Sequence, residues 1–236
     1  MKKKEERRRD NFLARVQSLA ERKFFLLFLF LLTDLILYPY VESGGFAYFA
    51  FRIIGSAAIL LAVYAVHVRR TLLVVVLLLA VPALLERTLM RRPDAGVFSI
   101  LNISLTFVFD VFVVVVLFRR VFSNDRATSE TIFGAICIYL LVGFTFASVY
   151  GMVATLHPKA FYLDPVLNLR TVPDRFDFIY YSFATMTSLG AVGITAISST
   201  ARSLSVIEAI LGVLYLAVLI ARLMGAYRHP SASEHP

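Results

Sequence analysis

The sequence predicts an all-α integral membrane protein with six transmembrane helices and a shorter re-entrant helix between the last two. Three observations predict it. The chain is 59% hydrophobic, its apolar residues fall in long uninterrupted runs, and its Lys and Arg residues gather at alternate ends of those runs. An ordinary soluble domain has no such runs.

In chain order the predicted spans are 24–41, 46–68, 71–85, 97–118, 131–156 and 203–224, and 176–187 is the re-entrant helix. A span needs about 20 apolar residues. The third run falls short of that, and Pro82 and Glu86 make it part of a longer, kinked helix. Lys2, Lys3, Lys4, Arg7, Arg8 and Arg9 precede the first span, Arg69 and Arg70 follow the second, Arg119, Arg120 and Arg126 the fourth, and Arg222 and Arg228 the last. All belong on the cytoplasmic side. Both termini are then cytoplasmic, the chain is multi-pass in a plasma (bacterial inner) membrane, and the segment between the fifth and sixth spans faces outward. The mixed-charge run Glu86, Arg87, Arg91, Arg92 and Asp94 goes against this pattern, because it falls in an outer loop.

The net charge of +8 lies mostly in the N-terminal run and at inner helix ends. It is assigned to topology and to anionic inner-leaflet lipid rather than to nucleic acid. Residues 11–23 place Phe12, Leu13, Val16 and Leu19 against Arg15, Glu21, Arg22 and Lys23 at near-helical spacing, an amphipathic helix lying on the inner leaflet. The N-terminus lacks the small-residue cleavage site of a signal peptide. Cys137 is the one cysteine, so no intrachain disulfide forms, and no metal-ligand cluster or cofactor motif is present.

The fourth span has no basic residue before Arg119, so it is not a voltage sensor with gating charges at every third position. Asp34 and Arg52 fall in the outer halves of the first and second spans and are an ion-pair candidate. An isolated charge there costs at least about 2.5–3.5 kcal/mol. Asp110 has no evident partner in sequence. With no Trp in the chain, Tyr38, Tyr40, Tyr48 and Tyr227 are the interface anchors, and His67, His229 and His235 are too scattered to form a site.

Residues 177–195 read Asp-Phe-Ile-Tyr-Tyr-Ser-Phe-Ala-Thr-Met-Thr-Ser-Leu-Gly-Ala-Val-Gly-Ile-Thr. This resembles the pore loop of the potassium-channel family, with Thr187, Ser188, Leu189 and Gly190 on the family's Thr-Thr-Val-Gly. Ala191 then stands on its tyrosine, Val192 on its second glycine and Gly193 on its aspartate. The resemblance continues through Ala201-Arg202-Ser203-Leu204, Glu208-Ala209-Ile210-Leu211-Gly212 and Leu214 to Arg222, similar to the inner helix of bacterial six-helix members. It begins upstream at Ile132-Phe133-Gly134-Ala135, similar to the start of their outer helix, and so covers roughly the last hundred residues.

The resemblance implies a homotetramer of the potassium-channel fold, in which four loops point backbone carbonyls at a dehydrated ion. It divides the chain into a basic cytoplasmic segment (1–23), a four-helix membrane domain (24–122), a pore domain (123–228) and a cytoplasmic tail (229–236). After Arg222 only a short polar stretch remains, with no nucleotide- or calcium-binding domain. Residues 157–175, with Pro158, Pro165 and Pro173, form an extracellular turret. Glu208, Tyr180 and Tyr181 are the filter-scaffold candidates. Gly212 is a hinge candidate, with close helix packing as the alternative.

The substitutions in the loop carry the functional expectation. Ala191 removes the tyrosine that would hold the loop open, and Val192 resists positive φ, so the outer loop takes another path with its glycine displaced to Gly193. Gly193 also removes an acidic ring from the outer mouth, which lowers cation concentration there. Arg202 stands nearby with less counter-charge, offset in part by Asp174 and Asp177. Thr187 and Ser188 still offer oxygens for weak inner cation sites. The expectation is a channel that passes monovalent cations, potassium or sodium, with weak potassium selectivity. A non-conducting scaffold or regulatory membrane protein, and a channel for another ion, stay open. An enzyme has no support: there is no Gly-rich phosphate loop, no paired carboxylate and His set and no nucleophile motif. A secondary transporter would show repeated halves with broken helices.

Overall fold

The computed structural model describes residues 23–41, 97–123, 128–168 and 170–227. The predicted spans at 46–68 and 71–85, the 86–94 loop, Arg52, the N-terminal segment before Lys23 and the tail from 228 lie outside the described residues. The described part is mostly helical: α1 (Lys23–Val41), α2 (Val97–Phe122), α3 (Ser129–Leu156), β1 (Phe161–Leu163), α4 (Arg175–Met186), β2 (Ile194–Ala196) and α5 (Ser199–Tyr227). Two stretches, Glu130–Leu156 in α3 and Ser199–Gly225 in α5, are long and apolar enough to cross a membrane.

Among the helix ends that differ from the sequence-based bounds, three do so for one reason: hydropathy stops at polar residues that a helix end can accommodate. The fourth run, predicted to end at 118, continues to Phe122 because Arg119 and Arg120 sit in the last turn of α2, where cations suit the negative end of the helix dipole. The fifth begins at Ser129, with Thr128 as N-cap accepting from the Thr131 amide at 3.2 Å. The last begins at Ser199 rather than 203, and Ser198 Oγ accepts from the Ala201 amide at 3.1 Å.

Helix α3 is shared by two apolar cores. Toward its N-terminus Ala135, Cys137, Ile138 and Leu141 pack with Leu27 and Leu31 of α1 and Val113 and Leu117 of α2. The Glu130 carboxylate accepts from the Phe24 amide at 3.1 Å, and the Cys137 thiol donates to the Phe24 carbonyl at 3.3 Å. The first turn of α1 has amides without helical partners, and Glu130 supplies an acceptor for one of them. Toward its C-terminus α3 contributes Ala147, Tyr150 and Val153 to a second core with Phe161, Phe178, Tyr181, Ile194 and Ala201. Here Phe161 meets Tyr150, Phe178 and Tyr181 edge to face, at 5.1–5.6 Å between ring centroids, the arrangement the ring quadrupoles favour.

Strands β1 and β2 are antiparallel, with Tyr162 opposite Thr195. The Ile197 and Ser198 amides extend this pairing to the Ala160 carbonyl, at 2.8 and 3.1 Å. Chain leaving α3 and chain entering α5 are thereby bound side by side, so everything between them departs from and returns to one level.

Candidate functional site

That closed excursion holds α4 and the loop after it. Asp174 caps α4: its Oδ1 accepts from the Phe176 and Asp177 amides at 2.9 and 3.1 Å, and Asp177 Oδ2 accepts from the Asp174 amide at 2.8 Å. This reciprocal box satisfies first-turn amides. Arg170 pairs with Asp174 and reaches Asp177, whereas Arg202, for which these two acids were the expected counter-charge, donates from Nε to the Ala196 carbonyl at 3.1 Å. Burial pushes the Asp177 carboxyl above its usual range; the Asp174 charge adds to the rise, and the Asp174 amide and Arg170 oppose it.

A raised folded-state pKa means that stability from this group is fully present below the unfolded value and is lost as pH rises through the folded one. Asp177→Asn keeps an acceptor for the Asp174 amide and removes the titration. Thermal unfolding followed upward from about pH 4 is therefore expected to fall less in Asp177→Asn than in the parent. Parallel profiles would contradict the assignment.

At its other end α4 has a donor for each of its last four carbonyls. The Thr187 amide and hydroxyl serve Phe183, at 3.0 and 2.6 Å, the Ser188 amide serves Thr185 and the Gly190 amide serves Ala184, both at 3.1 Å, and the Tyr139 hydroxyl serves Met186 at 3.4 Å. These groups would otherwise be orphaned. To make these bonds the loop turns at once, with Ser188 at φ 58° and Gly190 at φ 82°. The serine bears a left-handed conformation that costs an L-residue about 1–2 kcal/mol. Thr187 and Ser188 are exposed.

Farther along, the positive φ falls on Gly193 (86°) and not on Val192, the displacement that β-branching favours. The Tyr180 hydroxyl accepts from the Val192 amide at 3.0 Å. The Gly193 carbonyl accepts from the Asp164 amide and from Asn168 Nδ2, each at 2.9 Å. The φ favours glycine at 193, and a Cβ there would also stand 2.9 Å from Asn168 Nδ2, so the amide would have to shift off its bond to the Gly193 carbonyl. Leu189 and Val192, 76% and 68% exposed, crown the loop, and no acidic residue lies between Thr187 and Gly193. Ala191 is half-buried and packs at the edge of the second core.

Behind the loop Glu208 on α5 is fully buried. Its Oε2 lies 2.5 Å from the Tyr150 hydroxyl of α3, and its Oε1 lies 2.5 Å from Ser182 Oγ of α4. Ser182 also donates to the Gly143 carbonyl of α3 at 2.7 Å. Tyr181 reaches Ser205 of α5 at 2.7 Å. The scaffold candidates thus divide the work: Tyr180 holds the loop backbone, while Glu208 and Tyr181 hold α5 to α4.

One turn farther on, Gly212 supplies a second contact, since a Cβ there would stand 2.5 Å from both the carbonyl oxygen and Cγ of Met186. Of its two readings, hinge and close packing, this geometry matches close packing; α5 is continuous through it. Asp34 is buried on α1, but its candidate partner Arg52 lies outside the described residues.

Sequence reasoning singled out Glu208 but missed Tyr150 and Ser182. The signal for Ser182 was a small polar residue on the buried side of a short helix. Tyr150 had none, being one aromatic among many.

No protein family, curated protein or solved structure matches this chain.

Proposed function

We propose that the protein is a pore-loop ion channel, a homotetramer that conducts monovalent cations with weak potassium selectivity. The observation that carries the reading is the short helix and loop between the two long apolar helices. At about 1.5 Å per residue the 12 residues of α4 rise about 18 Å. This is too short for a hydrocarbon core of about 30 Å, and the β1–β2 pairing returns the chain to its starting level. Non-helical backbone at membrane depth is stable where protein buries it or water fills the space beside it. A re-entrant loop crowned by exposed residues fits the second case, on the axis of an assembly.

Burial supports the assembly. Only 11% of the most apolar stretch of α5 is buried, against 44% for α3, which leaves α5 to be covered by lipid and by further copies. The weak selectivity rests on the loop itself. Its φ pattern departs from regular glycine alternation, and cation ligands are limited to the Thr187 and Ser188 oxygens and adjacent carbonyls. Discrimination depends on the number and field of such ligands.

The exposed Leu189 and Val192 favour the second reading, a non-conducting scaffold, in which they close the axis. Purified protein in lipid vesicles decides between the two. Conduction predicts a mass of four chains together with dye-reported influx of both potassium and sodium ions. A verified tetramer passing neither ion would replace the channel reading with the scaffold.

A further inference from the structure

Ser182 has one hydroxyl proton and two acceptors. Its Oγ lies 2.7 Å from the Gly143 carbonyl oxygen and 2.5 Å from Glu208 Oε1, and a serine hydroxyl donates only once. If the serine proton goes to Glu208, two oxygens without a proton between them face each other across 2.7 Å. If it goes to Gly143, the shorter contact has a proton only when the carboxyl supplies it. The other carboxyl oxygen is already served, because the Tyr150 hydroxyl lies 2.5 Å from Oε2 and the phenol carries its own proton.

One assignment gives every contact a proton: Tyr150 donates to Glu208, Glu208 donates to Ser182, and Ser182 donates to Gly143. We propose that Glu208 is held as a neutral carboxylic acid that donates its proton to Ser182, and that this proton latches α3, α4 and α5 together. The surroundings suit a neutral group. Glu208 is 0% exposed, and its polar neighbours are Tyr150 and Ser182, with Tyr139 of α3 within electrostatic reach. Tyr181 of α4 packs edge to face on Tyr150 and bonds Ser205 of α5 at 2.7 Å, and Ser205 in turn reaches the Tyr150 hydroxyl and donates to the Ala201 carbonyl at 2.8 Å. On α5 itself Arg202 is engaged with the Ala196 carbonyl. Among the described residues no cation pairs with Glu208, and a buried charge without a partner is expelled or neutralised.

The latch stands on this geometry alone, and only its consequence for ion flow rests on the pore reading. Its test uses the full-length protein in lipid vesicles. The infrared difference spectrum between the parent and Glu208→Gln at neutral pH is expected to show one protonated-carboxyl C=O band lost and no ionised-carboxylate band lost. Loss of carboxylate bands instead would overturn the proposal.

Glutamine can reproduce the pattern, with its amide N–H to Ser182 and its C=O accepting from Tyr150. Glu208→Gln is therefore expected to unfold near the parent temperature and to stay level as pH rises, while the parent weakens once its proton leaves. A glutamine variant as weak as Glu208→Ala would overturn the latch. If the glutamine variant does not assemble, the band is followed in the parent alone. Its disappearance on alkalinisation, together with falling thermal stability, supports the latch, and its absence at neutral pH refutes it. An intact band in vesicles that pass no cations would strike the pore reading and leave the latch standing.

Discussion

Gly212→Ala lowers the unfolding temperature of the protein even though alanine is the better helix former. In an exposed helix interior the exchange gains about 1 kcal/mol, so a glycine kept for bending, or for nothing, becomes more stable as alanine. Here the new methyl would stand 2.5 Å from the Met186 carbonyl oxygen. That oxygen is backbone at the end of α4 and is itself held by Tyr139, so it cannot swing aside as a side-chain tip can. Helix α5 must back away, at a cost of about 1–3 kcal/mol that exceeds the gain in propensity. Thermal unfolding in detergent, read beside a control Gly225→Ala where nothing lies within 4 Å of the new Cβ, separates the two effects. The control is expected to rise and Gly212→Ala to fall. A rise in both would contradict the close packing of Gly212 on Met186.

Glu208→Ala has the larger expected cost, about 2–5 kcal/mol, because it opens a cavity in a fully buried site and also strips the Tyr150 hydroxyl of its acceptor. A buried polar group left unsatisfied costs about 1–3 kcal/mol by itself. Ser182 keeps its bond to Gly143, so α4 stays on α3 while α5 loosens. Proteolysis and thermal unfolding together check this order of events, with α5 the first element released. Unchanged stability in Glu208→Ala would remove Glu208 from the scaffold. Tyr150→Phe, which deletes one donor and leaves no cavity, is expected to cost less than Glu208→Ala.

How much of this was legible in the sequence depended on the kind of signal each part leaves. Long apolar runs located α1, α2, α3 and α5 because helix and apolar run nearly coincide, and they misjudged ends such as Ser199, where a polar first turn belongs to the helix but not to the run. The three-residue strands were invisible. Phe161–Leu163 and Ile194–Ala196 are too short to display alternation, and they pair only because the excursion between them closes. The displacement of positive φ from Val192 to Gly193 was readable, since it depends on local sterics at a β-branched residue. The clamp on Gly193 was not, because Asp164 and Asn168 lie in a proline-broken stretch without periodicity. Glu208 stood out as a carboxylate in an apolar run, yet the identity of its partners depends on how three helices rotate against one another, which no single helix encodes.

The proposed channel passes monovalent cations and discriminates poorly between them. Purified protein in a planar bilayer, with potassium chloride on one side and an equal concentration of sodium chloride on the other, reports this through the reversal potential of single-channel steps. A potential near zero is expected, followed by a clear cation preference when one salt is diluted. A strongly potassium-selective potential would contradict it, because Ala191, Val192 and Gly193 would then still build a selective set of ligands.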